Sequence, residues 1–219
     1  SSLTSGSSGT SGSSGTSGTS GSSGTSGSSG TSGTSGVAGT SGTSGTSAAS
    51  TTRGQLFLTA AGGWPTVVSG CAATTASGMA SNYQSLYTLD FNGTTLQEFA
   101  EWTVGMPSDW NASTVSGIFY WMHGVTATDF KVCWGLQGRS YGDNEAIDQA
   151  MGTAQESVDT GGTANNLYVS SGTATITIGG TPAPNELVQF RVYRNPNNIN
   201  DTLAIDAKLI GVMVDYTRT

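Results

Sequence analysis

Glycine stands at every third position near the start of this chain: Gly6, Gly9, Gly12, Gly15, Gly18, Gly21, Gly24, Gly27, Gly30, Gly33, Gly36, Gly39, Gly42 and Gly45. Between them lie Ser-Ser or Thr-Ser pairs, interrupted once by Val37-Ala38. A flexible Gly/Ser linker needs only a composition, and nothing about it keeps glycines in one phase. An unbroken period of three points instead to an axis so crowded that only a hydrogen atom fits as side chain. That is what three polyproline-II strands wound together require.

Residues 1–47 therefore read as a collagen-like triple-helical stalk, with glycines on the axis and Ser and Thr hydroxyls outward. At about 3 Å per residue the rod would be roughly 120 Å long. It departs from collagen in one respect, because Pro65, Pro107, Pro182, Pro184 and Pro196 all lie downstream and none pre-sets the stalk backbone. Register must come from a trimeric head, from burial in a larger assembly, or from sugars on the outward threonines, and these stay open. A solvated linker and a polyglycine-II bundle are the competing readings. The expected partner is the chain itself, as a homotrimer, with end-to-end filaments as an extension.

No charged or aromatic residue precedes Arg53, while all seven Lys and Arg and all fourteen Asp and Glu lie from there on. The net charge of −7 and the pI near 4.3 argue against nucleic acid, whose phosphates call for clustered Lys and Arg. No run of about 20 apolar residues is present, so no membrane insertion is expected. No basic-then-apolar leader opens the chain, which starts at Ser; processing or a missing upstream attachment segment would account for that. Cys71 and Cys133 read equally well as one disulfide or as two free buried thiols.

The text from Leu86 onward is β-rich, with β-branched and aromatic runs bounded by Gly, Pro, Asn and Asp. These runs are 86–91, 96–105, 114–123, 130–140, 155–159, 167–178, 187–194 and 207–216. Val188, Phe190 and Val192 alternate with Gln189, Arg191 and Tyr193, the period of a half-buried antiparallel strand. In the last run Ile210, Val212, Val214 and Tyr216 take one face and Leu209, Gly211 and Met213 the other. Both faces are apolar, which makes Leu209 and Met213 candidates for a trimer interface. Asp143 to Met151 reads as a short helix, capped by Asp143 and stopped at Gly152. The predicted organisation is a stalk (1–47), a neck (48–54), a loop-rich collar (55–85) and an all-β, jelly-roll-like sandwich head (86–219).

Catalytic and metal chemistry find little footing. His123 ends an apolar run with no nucleophile elbow and no second ligand at metal spacing. Glu98/Glu101 and Asp143/Glu145/Asp148 are carboxylates that could converge as a glycosidase pair or a calcium site, but Asp143-Asn144-Glu145 lacks the spaced ladder of a calcium loop, and solvated acids at a helix start account better for it. No catalytic residue, metal or cofactor is expected, and no enzyme activity. Asn92, Asn111 and Asn200 open Asn-X-Ser/Thr triplets of little specificity in so Asn/Thr-rich a chain. Trp64, Trp110, Tyr141 and Tyr168 fall near loops, where aromatic rings form platforms for sugars, and a cell-surface carbohydrate is the expected external partner.

The residues Leu58–Pro65, Gly70-Cys71-Ala72, Met106–Trp110, Phe119-Tyr120-Trp121, Val132–Gln137, Thr175–Pro182, Val188–Arg194 and Asp201–Val212 resemble tail-fibre or virion-associated structural proteins of tailed bacteriophages. That resemblance spans Gln55 to the end and implies a trimeric fibre head without an active site, outside the cell on a virion or cell surface. Bacterial spore-surface hairs and tumour-necrosis-factor-like trimers resemble the same stalk-and-head layout. A purely structural extracellular filament and a glycan-degrading enzyme on a fibre are the alternative functions.

Overall fold

The computed structural model describes residues 52–79, 81–94, 96–125 and 130–219. The axial glycines Gly6 to Gly45, and the stalk reading with them, lie outside the described residues. The strands are β1 (Arg53–Thr59), β2 (Trp64–Pro65), β3 (Thr75–Met79), β4 (Gln84–Phe91), β5 (Glu98–Gly105), β6 (Trp110–Met122), β7 (Lys131–Tyr141), β8 (Gln155–Thr160), β9 (Tyr168–Val169), β10 (Leu187–Arg194) and β11 (Ala207–Arg218). A single 3-10 turn, Ala60–Gly62, is the helical content among the described residues.

Two antiparallel sheets form a sandwich. The first has the order β3-β4-β11-β6-β9, with β1 also on β11, and the second β2-β5-β10-β7-β8. Strands β1 and β4 share one edge of β11: β4 pairs with Ala207–Leu209 and β1 with Gly211–Thr217. Strands β4 to β7 alternate between the sheets, the jelly-roll habit. Residues 55–85, expected as a collar, instead enter both sheets through β1, β2 and β3.

The core lies where the inner faces meet. On β10, Val188, Phe190 and Val192 are fully buried, as their alternation predicts. Trp134 from β7 packs edge-on against Phe91 (centroids 5.2 Å apart), nearly parallel to Phe119 (5.8 Å) and edge-on to Trp121 (6.3 Å). Such rings bury large areas and favour these offset and edge contacts over face-to-face stacking.

Three local expectations change. Leu209 is fully buried in the core, so it is no interface residue: the β6–β11 register shifts between Leu209 and Gly211. The extra residue, Ile210, puts Leu209 and Val212 on the same inner side. Residues 143–151 are turns and bends rather than helix. Asn144 sits at φ 62°, Ile147 is exposed, and side chains take the carbonyls: Gln149 Nε2 donates to Ala146 O (2.7 Å) and Arg139 Nη1 to Ala150 O (3.1 Å). With no apolar face to bury, so short a helix has no support. Of the run 167–178, only Tyr168–Val169 is strand. Beyond it, Ser170 Oγ accepts from Phe119 N (2.9 Å) and Thr173 Oγ1 from Gly117 N (3.0 Å). Side-chain oxygens thus replace a regular ladder along β6.

A buried ion pair ties the 195–206 loop to both sheets. Arg194, at the end of β10, is fully buried. Its Nε and Nη2 donate to the two carboxylate oxygens of Asp201 (3.0 and 2.7 Å). Nη1 donates to Phe91 O (3.2 Å) and Ile205 O (2.6 Å), and Nη2 also to Leu203 O. All five guanidinium N–H groups are thereby used.

Candidate carbohydrate-binding groove

Because alternate residues of a strand face opposite ways, the residues between the core positions of β5, β10 and β7 form the outer face of the second sheet. The pairings line up Trp64, Glu101, Arg191 and Gln137 as one row across β2, β5, β10 and β7. Thr103, Gln189 and Arg139 form the next row on one side, and Phe99, Tyr193 and Gly135 on the other.

Glu101 is the hub of this face. Its carboxylate accepts from Arg191 Nε (2.7 Å) and Gln189 Nε2 (2.7 Å). Arg191 also lies 5.5 Å from the Phe99 ring centroid, a cation–π contact, and Phe99 leans on Tyr193 at 5.8 Å. Arg191 keeps 32% of its side-chain surface exposed against 11% for Glu101, so the guanidinium rather than the carboxylate meets solvent. A depression of about 400 Å³ opens here, walled by Thr66–Ser69. On that wall Val67 and Val68 stand exposed.

Two polar clusters fix the ends of the face. Tyr141 Oη donates to Ile147 O (2.9 Å), docking the 143–151 loop. At the other end Glu156 accepts from Asn195 Nδ2 (2.8 Å), Asn198 Nδ2 (3.1 Å), Tyr193 Oη (3.1 Å) and Cys133 Sγ (3.2 Å). Burial alone would raise the Glu156 pKa, but those four donors together hold it below the usual carboxylate value. Burial, then the neighbouring Glu156, push both the Cys133 thiol and the Tyr193 phenol upward. Burial also raises Cys71 to about 12. Both thiols stay protonated and unreactive.

The expected platform aromatics divide. Trp64 is half-exposed at the end of the groove row. Trp110 is fully buried and Tyr141 nearly so, one in the core and the other holding a loop, so neither offers a ring face. Tyr168 is stacked on His123 (5.3 Å) and packed against Trp121 (5.1 Å), with Oη donating to Thr163 O (2.9 Å). Cys71 and Cys133 are free; each thiol has its own pocket and partners, so the disulfide reading gives way. Met213 is partly exposed on the first sheet. Glu98 accepts from Asn92 N (2.7 Å), and no cluster of three or more His, Cys, Asp or Glu suited to a metal occurs among the described residues. Gln137, Gln189 and Arg191 escaped sequence reading as a site, and Glu101 entered it only as one of the Glu98/Glu101 carboxylates. Their one signal was the polar phase of β10, because the registers that align them join residues far apart in the chain.

His123 is fully buried between Phe130 (4.5 Å, edge-on) and Tyr168. Burial lowers its pKa, against a smaller raising effect of the Val125 backbone. The unfolded chain therefore takes up this proton more readily than the folded one. Stability is full above pH about 6.5 and falls as pH drops below it, by up to about 1.4 kcal/mol per pH unit until folded His123 itself titrates. Melting temperatures measured between pH 7.5 and 5 are expected to fall toward acid, and to fall less in His123→Phe. An equal slope in both chains would rule this out.

The groove offers donors, acceptors and ring faces side by side, with the Arg191 guanidinium paired to Glu101 and that of Arg139 engaged by Ala150 O and Gln149. That suits a neutral, hydroxyl-rich ligand better than a phosphate or an apolar one. No curated protein matches the chain. Among solved structures, the chain is similar to a carbohydrate-binding module specific for non-crystalline cellulose, at 14% identity and a TM-score of 0.39 over 74% of this chain and 88% of that one. That overlap is too low to speak for a ligand. The family model of the collagen triple helix repeat matches residues 4–56, so the chain joins a collagen-repeat region to an all-β sandwich.

Proposed function

We propose that this chain is a non-enzymatic extracellular fibre subunit. Three copies wind through the glycine repeat, and each displays a sandwich head that holds carbohydrate in the groove around Trp64, Glu101 and Arg191. The observation that carries this reading is the unbroken glycine phase from Gly6 to Gly45 in one chain with a compact sandwich. Such a rod spaces and multiplies a head; it adds nothing to catalysis. The phage tail-fibre resemblance favours a virion as the place of display, with a host-surface glycan as target. Three weak contacts on one fibre act together through effective concentration, which can add a factor of about 10²–10⁴ to the avidity of one.

The test is binding of the full chain to a panel of bacterial surface polysaccharides, by calorimetry or surface capture. Trp64→Ala and Arg191→Ala are each expected to weaken binding by a factor of about 30, the cost of about 2 kcal/mol at an interface hot spot. Binding that both variants leave intact would move the site elsewhere. Absence of binding to any glycan, with long polymers in electron micrographs, would make the chain a structural filament. Release of reducing sugar that Glu101→Gln abolishes would make it a hydrolase.

A further inference from the structure

The outer face of the first sheet is dressed differently from the groove. Strand β1 pairs with β11 and β11 with β6, so Phe57, Met213 and Ile118 lie side by side. In the adjacent row Thr59, Gly211, Tyr120 and Val169 are aligned. Gly211 is the seat of this patch. A Cβ there would come within 2.7 Å of both the Phe57 ring and the Leu58 carbonyl. Its absence lets Phe57 close edge-on against Tyr120, with centroids 5.3 Å apart. Phe57 and Val169 are nonetheless 44% and 48% exposed.

Polar groups bound the stripe at both ends. At one, Arg53 and Gln55 both donate to Asp215. At the other, Lys208 Nζ donates to Asp90 (2.7 Å), which also accepts from Thr88 (2.8 Å). An apolar centre with a hydrogen-bonded polar rim is the anatomy of a protein–protein interface, and here the exposed amide and guanidinium of Gln55 and Arg53 stand at the rim rather than at the centre.

We propose that this stripe is the surface on which the heads of three copies of the chain pack together. The inference rests on the three-stranded reading of the glycine repeat. The residues between Ser47, which closes the strict triplets, and Arg53, which opens β1, span at most about 20 Å. In three chains wound on one axis that tether limits how far the start of each β1 can lie from the end of the repeat, and Phe57 on β1 is the most exposed residue of the stripe's central row. A stalk without proline has little to set its own register, and a packed head supplies it.

Two measurements on the full chain test this. By light scattering the unaltered chain should have about three times its 22.1 kDa mass. Phe57→Lys and Ile118→Lys should drop to the single-chain mass with native tryptophan emission, while Ile199→Lys, a fully exposed loop residue elsewhere, stays trimeric. In the unaltered chain, peroxide should oxidise Met213 several-fold more slowly than Met79 and Met151, which like Met213 are partly exposed in one copy. A single-chain mass for the unaltered protein would overturn the three-stranded reading and this inference with it. A trimer that survives both Lys variants, or a Met213 oxidised as fast as Met79 and Met151, would overturn the inference alone.

Discussion

Arg194→Met is expected to lower the stability of the sandwich by about 3–5 kcal/mol, because it leaves the Asp201 carboxylate buried without its counter-charge. The side chains of Arg194 and Asp201 keep 0% and 1% of their surface exposed, so water does not substitute for the lost donors. Three backbone carbonyls, those of Phe91, Leu203 and Ile205, lose a donor at the same time. At about 2–4 °C per kcal/mol for a domain of this size, the melting temperature should fall by roughly 6–20 °C. Replacing both partners, Arg194→Met with Asp201→Leu, should recover part of the loss, since a buried pair and an apolar pair of like volume are often near equal. Urea unfolding of both variants decides it. A single variant within about 1 kcal/mol of the parent would show that water reaches Asp201.

Trp134→Ala is expected to cost about 3–5 kcal/mol, the usual range for emptying the space of a buried aromatic side chain. Three aromatic partners, Phe91, Phe119 and Trp121, would each lose a ring contact. Trp134→Phe should cost far less, and for a specific reason. The Trp134 Nε1 is buried without a hydrogen-bond partner, so the smaller ring removes an unsatisfied donor along with some packing. Equal losses for Ala and Phe, by thermal or urea unfolding, would mean that the indole N–H has a partner.

The sandwich was legible where a strand obeys a simple period. Val188, Phe190 and Val192 announce an inner face, and their polar neighbours Gln189 and Arg191 an outer one. It was illegible where one residue changes the phase. Ile210 is an ordinary apolar residue in the sequence, yet as the extra residue at a register shift it returns Leu209 to the core, and nothing in its identity marks it. The expected helix at 143–151 failed because Ile147 is exposed and leaves no apolar face to bury, while Arg139 on β7 takes the Ala150 carbonyl and Gln149 that of Ala146. Trp110 and Tyr141 misled for a related reason: nearness to a turn says nothing about which way a ring points. The groove itself depends on β2, β5, β10 and β7 meeting in one register. Among its residues only Trp64 was legible in the sequence as a sugar platform; Gln189 and Arg191 showed only as an outer face, and Glu101 only as a carboxylate beside Glu98.

The pairing of β1 with β11 also decides how the head bears load. Any tension carried by the chain before Arg53 enters the sandwich through β1, whose seven residues are in register with β11 from Arg53↔Thr217 to Thr59↔Gly211. A pull along the strand stresses all of those rungs together, as in a lap joint, whereas a pull across it peels them one at a time from Arg53. Arg53 and Gln55, both fastened to Asp215, stand at the end where peeling would begin. In mechanical terms they are the rivets of the seam.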